Sequence, residues 1–301
     1  MSELSRTMST LTTETANPEW AEIDTWPTRQ QVEGMIAADA GLYEAIAACT
    51  DQITAAVDGI VDGLERGGRL IYIGAGTAGR MGVLDASEIP PTYGTDPSLV
   101  VGVIAGGDVA IQRAVENAED DVDAGARAMA DLGVGEADTV VGIASSGRTP
   151  YVLGALAEAG RRAALRIGFT NNAGSAVGAA ADIAIEVVVG PEFIAGSTRL
   201  RSGTSQKLVL NMLSTLAMVR LGKTFGNLMV DLKATNEKLR VRAVRTVVAA
   251  AGVSEREAAA AVQGADGSVK TAILMVLAGI DADHARARLD AARGHLRDGL
   301  R

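Results

Sequence analysis

Two groups of carboxylates stand where proton transfer could be done. Glu88 lies in Leu84-Asp85-Ala86-Ser87-Glu88-Ile89-Pro90-Pro91, just behind a glycine-rich turn. The double proline is expected to end a short helix and fix the backbone. Glu88 would then face the C-terminal edge of a sheet, the usual ligand side of open α/β folds. Glu116, Glu119, Asp120 and Asp121 follow Gly106-Gly107. A helix through Ile111, Val115 and Ala118 would put Glu116 and Glu119, three apart, on one face. Carboxylates on helices are more often simply solvated, and spacing alone leaves both groups open. The only histidines are His284 and His295, so nothing before them can supply a Ser-His-Asp triad, a histidine metal cluster or a histidine base. Acid–base chemistry in the main domain falls to Asp, Glu, Lys or Tyr.

Two turns could hold an anion, since each follows a strand and opens a helix whose first N–H groups are unpaired. Gly74-Ala75-Gly76-Thr77-Ala78-Gly79 has the G-x-G-x-x-G spacing. That match is weak without an acidic residue at the end of the next strand, and Val100–Ile104 runs into Ala105-Gly106-Gly107 instead. The second turn, Ser145-Ser146-Gly147-Arg148-Thr149, offers three hydroxyls and a guanidinium. One hydroxyl would suffice to cap a helix, so this excess favours an oxyanion ligand. A third cluster, Gly196-Ser197-Thr198-Arg199 with Arg201-Ser202-Gly203-Thr204, is either a further polar wall or a capped helix start. The basic run Lys233, Lys238, Arg240, Arg242 and Arg245 reads as a solvated face or a subunit contact.

Elements positioning these groups follow from the apolar pattern. Residues 1–26 read as an irregular arm. Thr28 and Gln31 suggest a capping box, opening a long helical pattern with a possible break near Gly41 that Gly67-Gly68 ends. Strands are expected at Arg69–Ile73, Leu99–Ile104, Thr139–Ile143, Leu165–Phe169 and Ile183–Val189. Continuous apolar strands alternating with helices predict α/β architecture with a doubly wound parallel sheet. Residues 203–221 form a nearly all-round apolar helix expected to be buried in the domain or an interface. Beyond Asp231 the chain reads as helical, with a capping box at Ser254 and Glu257 and short helices near 254–264, 268–278 and 282–297. This divides the chain into an arm and long helix (1–60), a ligand-binding domain (61–224) and a helical region (225–301).

Bulk properties exclude several classes. A net charge of −9 argues against a nucleic-acid binder that neutralises phosphates. It leaves room for one small phosphorylated ligand held by backbone N–H groups. The single cysteine, Cys49, forms no intrachain disulfide and fits a reducing compartment. The first 26 residues lack the apolar core of a secretory signal, and no run is long enough for a membrane span. The expected location is the cytoplasm, with no nucleic-acid or membrane partner. No P-loop for ATP is present.

At the residues just named the chain resembles a family. The runs GAGTAGRMGVLDASEIPPTYG (74–94), VVGVIAGGDVAIQRAVENAEDD, VVGIASSGRTPYV, SGTSQKLVLNMLST and GNLMVDLKATNEKL are similar, in order and spacing, to N-acetylmuramic acid 6-phosphate etherases. So is the arm Thr13-Glu14-Thr15-Ala16-Asn17-Pro18. The resemblance implies a sugar isomerase (SIS) fold that binds phosphosugars, a small C-terminal helical domain and a homodimer. It implies Glu88 as the acid–base glutamate and Glu119 as its second, which would abstract the C2 proton or assist ring opening. Thr77, Ser145, Ser146 and Thr149, with Ser197 and Thr198, would surround the sugar and phosphate. Two positions depart from the family pattern. Ile89 stands where Cys is frequent, and Ala144 stands where related domains often have Ser.

The implied reaction removes D-lactate from C3 of the open-chain sugar after loss of the C2 proton, then adds water, and it requires neither metal nor cofactor. A phosphosugar aldose–ketose isomerase would also need a base at C2 but would release no lactate. A non-catalytic sugar-phosphate sensor of the glucokinase-regulatory type is the rival from another class, and retention of both glutamates disfavours it.

Overall fold

The computed structural model describes residues 11–231 and 237–301, so Lys233 and the first ten residues of the arm lie outside it. The chain divides into two compact units. One comprises residues up to Ala86 together with Ser98–Leu213, and the other Ser87–Pro97 with Ser214–Arg301.

In the first unit five parallel strands form one sheet: β1 Leu70–Gly74, β2 Val100–Ile104, β3 Thr139–Ala144, β4 Leu165–Thr170 and β5 Ile183–Glu186. Their order is β2-β1-β3-β4-β5. Winding therefore reverses between β1 and β3, and such a switch opens a crevice at the strands' C-terminal ends. Register places Gly74 opposite both Ile104 and Ile143, so the two flanking loops leave the sheet at one level. The unbroken apolar runs are explained by burial on both faces: Leu70, Ile71, Tyr72, Ile73 and Ile143 are fully buried. Strand β5 stops at Glu186, short of the expected Val189. There the Glu186 carboxylate turns to accept from the Gly174 and Ser175 N–H groups.

The opposite end of the sheet is closed by one charged cluster. Asp138 is buried and accepts from Arg69 N at 2.8 Å, Arg69 Nη2 at 2.7 Å and Gly135 N at 3.0 Å. Arg69 also donates to the Leu132 carbonyl. Burial pushes the Asp138 carboxyl up, but the guanidinium and the two N–H groups outweigh it and hold it below the usual carboxylate range.

Several local expectations are corrected. The long helical pattern is three helices, α1 Thr28–Ala38, α2 Leu42–Ala47 and α3 Thr50–Glu65. Gly41 interrupts it at φ +80°, and Cys49 interrupts it again. The capping box at Thr28 does not form: Pro27 occupies the cap position, and Gln31 Nε2 donates to the Ile23 carbonyl. The double proline does not end the next helix, since α4 runs from Gly76 to Tyr93 with Pro90 and Pro91 inside. Both sit in its closing turns, so only two ladder donors are lost. The helix after Gly106-Gly107 is the single turn α5, Val109–Gln112. Asn117 at φ +60° then redirects the chain into a 3₁₀ turn, Ala118–Asp120, so Glu116 and Glu119 share no helix face. The ensuing helices are α6 Val122–Asp131, α7 Pro150–Arg161, α8 Ala176–Ala179 and α9 Arg201–Arg220. Helix α9 is not buried all round: Val209, Leu210, Leu213 and Met218 are covered, whereas Leu216 and Val219 are exposed.

The second unit contains the two-stranded hairpin β6 Thr224–Phe225 and β7 Leu228–Met229. Its helices are α10 Glu237–Ala251, α11 Glu255–Gly264, α12 Val269–Ala278, α13 Ala282–Ala291 and α14 Leu296–Gly299. The box at Ser254 and Glu257 is formed in both directions. Val247, Ala258, Ile273, Leu274 and Leu289 are among its buried core. Lys270 is buried there and donates to Asp231 at 2.7 Å. Among the described residues no helix is long and apolar enough to cross a membrane.

The Asp138 cluster should set the acid stability of the first unit. A folded-state carboxyl held low contributes stability that is complete above the ordinary carboxylate range. That contribution fades as pH falls through the depressed value. Asp138→Asn should lose roughly 1.5–3 kcal/mol in urea unfolding at pH 7. The gap to wild type should close below about pH 4.

Candidate active site

Both flanking loops of the switch point turn at a glycine of positive φ and lead into a helix. After β1 the chain turns at Gly76 with φ +54° and enters α4 at once. The turn is tight: a Cβ on Gly79 would stand 2.6 Å from Ile104 Cγ1 and 2.7 Å from the Gly74 oxygen. Only glycine lets α4 approach the sheet this closely, and its first-turn donors then face the crevice. Thr77 adds a hydroxyl at the same edge. Its methyl lies 3.2 Å from where a Cβ on Gly203 would stand, so a glycine of α9 leaves it room.

After β3 the chain makes a second turn, with Gly147 at φ +69° and its N–H on the Ala144 carbonyl. Thr149 holds the cap position of α7, yet it makes no side-chain capping bond, and Pro150 at the first helical position needs none. The Thr149 hydroxyl is therefore not consumed in capping the helix. Ser146 Oγ accepts from Arg148 N at 3.3 Å. Ser145 Oγ accepts from Gln206 Nε2 at 2.8 Å, which turns its own proton away from Gln206.

That glutamine belongs to a buried network that sequence reasoning missed. Gln206 Nε2 also donates to Asn171 Oδ1, and Asn171 Nδ2 donates to Ser205 Oγ and the Val187 carbonyl. Asn172 Nδ2 donates to the Ser145 carbonyl and to Thr13 Oγ1. Its Oδ1 accepts from Thr12 N and Thr12 Oγ1. One amide thus ties the arm to the second loop. The signal was present in the sequence as two adjacent asparagines at the ligand-side end of an apolar strand. It was present again as polar Ser202, Ser205 and Gln206 at helical spacing at the start of α9. Glu192 was missed too: it is buried, and its carboxylate accepts from Arg201 N at 2.7 Å and Ser202 N at 2.9 Å. A distant glutamate therefore caps α9.

The loops enclose a cleft of about 510 Å³. Its donors are Thr77, Ser145, Ser146, Arg148, Thr149 and Thr198. Its carboxylates are Glu119, Asp120 and Glu14, the last unforeseen. Ser197 is half-buried and does not line it. Glu88 is exposed, belongs to the second unit and is not among the lining residues. The cleft thus joins a hydroxyl- and N–H-rich loop, suited to a phosphate, to carboxylates suited to moving protons. Gln206→Leu should leave Ser145 unoriented and weaken inorganic phosphate binding about tenfold by calorimetry. Unchanged affinity would show that the network does not serve the ligand.

Comparisons with known proteins identify the family. The SIS domain model matches residues 111–216, and the model of the glucokinase regulatory protein N-terminal SIS domain matches residues 52–159. The chain is 54% identical over 293 residues to an N-acetylmuramic acid 6-phosphate etherase of Streptomyces avermitilis, spanning 97% of this chain and 94% of that protein. It is 52% identical over 293 residues to the etherase of Rubrobacter xylanophilus, spanning 97% of each. A solved phosphoheptose isomerase from Neisseria gonorrhoeae matches with 18% identity and a TM-score of 0.49, over 63% of this chain and 98% of that chain. With half its residues identical to those of curated etherases over nearly their whole length, the chain belongs to the N-acetylmuramic acid 6-phosphate etherase family.

Proposed function

We propose that the protein cleaves the D-lactyl ether of N-acetylmuramic acid 6-phosphate, giving N-acetylglucosamine 6-phosphate and D-lactate, as a carbon–oxygen lyase. The observation that carries this reading is the single cleft uniting Thr77, Ser145, Ser146 and Thr149 with Glu119 at the β1/β3 switch point. The loop hydroxyls and the first N–H groups of α4 hold the phosphate, with Thr198 beside them. Ser197, which does not line the cleft, supports the turn that carries Thr198.

An ether oxygen leaves poorly, so the neighbouring carbon does the work. In the open-chain sugar the C1 aldehyde acidifies the C2 proton. Glu119 takes that proton, the electrons form the C2–C3 double bond, and the C3–O bond breaks with its pair on the lactate oxygen. Glu88 protonates the departing lactate and then activates the water that adds at C3, while a proton returns to C2. The role of Glu88 rests on its motif, and the experiment therefore centres on it. The protein works in the cytoplasm as a homodimer. Cys49, buried and donating to the Glu186 carbonyl, suits a reducing compartment. The exposed apolar stripe of Val32, Met35 and Ile36 on α1 supports self-association.

D-Lactate release from N-acetylmuramic acid 6-phosphate by the purified protein tests the reaction. Glu88→Gln should lower turnover by roughly 10²–10⁴-fold while leaving phosphosugar binding close to wild type. Near-normal turnover in that variant would remove Glu88 from the mechanism. A folded wild type that binds the sugar phosphate but releases no lactate would favour a sensor or an isomerase.

A further inference from the structure

The elimination proposed above needs an aldehyde, yet the sugar is supplied as a closed pyranose. Opening it moves one proton from the C1 hydroxyl to the ring oxygen as the C1–O5 bond breaks. Some group must carry that proton. Among the residues that line the cleft of the first unit, the groups suited to carrying it are carboxylates.

Three carboxylates line the cleft against one guanidinium, Arg148. This is an unfavourable balance for an anionic phosphosugar unless the carboxylates act on it. Glu119 and Asp120 share one 3₁₀ turn and so enter from one element. Glu14 enters from another, the 3₁₀ turn Thr12–Glu14 of the arm. Its placement is built with unusual care for a surface segment. Thr13 is fully buried, and the Asn172 amide holds Thr12 N, Thr12 Oγ1 and Thr13 Oγ1 at 2.9–3.1 Å. Gly196 N donates to the Thr13 carbonyl at 3.1 Å. Glu14 itself is half-buried, and its Oε2 lies 3.1 Å from where a Cβ on Gly196 would stand. The absent side chain leaves the carboxylate uncovered. The same asparagine that fixes the arm holds the Ser145 carbonyl of the second loop, so Glu14 is registered to the loop assigned to the phosphate.

We propose that Glu14 is a catalytic residue that opens the pyranose ring. Its carboxylate takes the C1 hydroxyl proton as the C1–O5 electron pair moves to O5, and then delivers the proton to O5. No proton is gained or lost overall, and the aldehyde is left for Glu119 to exploit at C2. This step rests on the etherase reading for its purpose, but it has its own readout.

The test is the rate of α/β anomer interconversion of N-acetylglucosamine 6-phosphate, followed by exchange NMR with and without enzyme. Wild type should accelerate it. Glu14→Gln should lose the acceleration by about 100-fold or more while binding the same sugar phosphate within about threefold by calorimetry. Its D-lactate release should fall by a similar factor. Glu119→Gln should lose deuterium exchange at C2. Glu14→Asp, which keeps the charge on a shorter arm, should regain part of the rate. Full acceleration in Glu14→Gln would overturn the proposal, and so would a loss matched by equal loss of binding. Wild type that interconverts anomers in a Glu14-dependent way without releasing lactate would sustain this inference and refute the etherase reading.

Discussion

An acidic protein that must hold an acidic ligand cannot rely on net charge, and the architecture of the first unit follows from that constraint. The chain carries −9, and its cleft has three carboxylates to one arginine. What remains are dipoles: N–H groups at helix starts and hydroxyls released from other duties. A parallel sheet with its winding reversed between β1 and β3 delivers two helix starts to one crevice. The buried amides then dictate where the hydroxyl protons point, which a flexible surface serine could not guarantee. In the proposed function the anion is held by geometry and not by bulk attraction, which lets three carboxylates line the same cleft.

Much of this was legible in the sequence. Five apolar runs gave five strands within a few residues, and the two turns following β1 and β3 proved to be the walls of the cleft. Both signals are local: a strand buried on two faces must be apolar throughout, and a turn into a helix must carry small or hydroxylic residues. The misses were long-range. Asn172 meets Thr12 and Thr13 across about 160 residues, and Glu192 reaches α9 from outside the helix. No periodicity reports such pairings. Helix punctuation also misled, because two prolines near the end of α4 remove only donors that the last turns can spare. Asn117 in the left-handed region broke a run that composition alone would continue.

The two glutamates singled out by motif have separate standing in the structure. Glu119 lies in the cleft with the hydroxyls. Glu88 is exposed on α4 within the second unit. The arm contributes what neither motif predicted: a carboxylate on a segment too short to stabilise itself and therefore dependent on partners elsewhere in the chain.

That dependence has a temporal side. On a ribosome the arm emerges before any strand, yet its docking amide belongs to a residue at the end of β4. The arm cannot dock until β4 has been made and paired with β3, and its turn at Gly196 comes later still. Closing so long a loop carries an entropic penalty that local contacts do not repay in advance. The cleft is thus completed late in folding, because Glu14 takes its place only after the elements that hold it have been made.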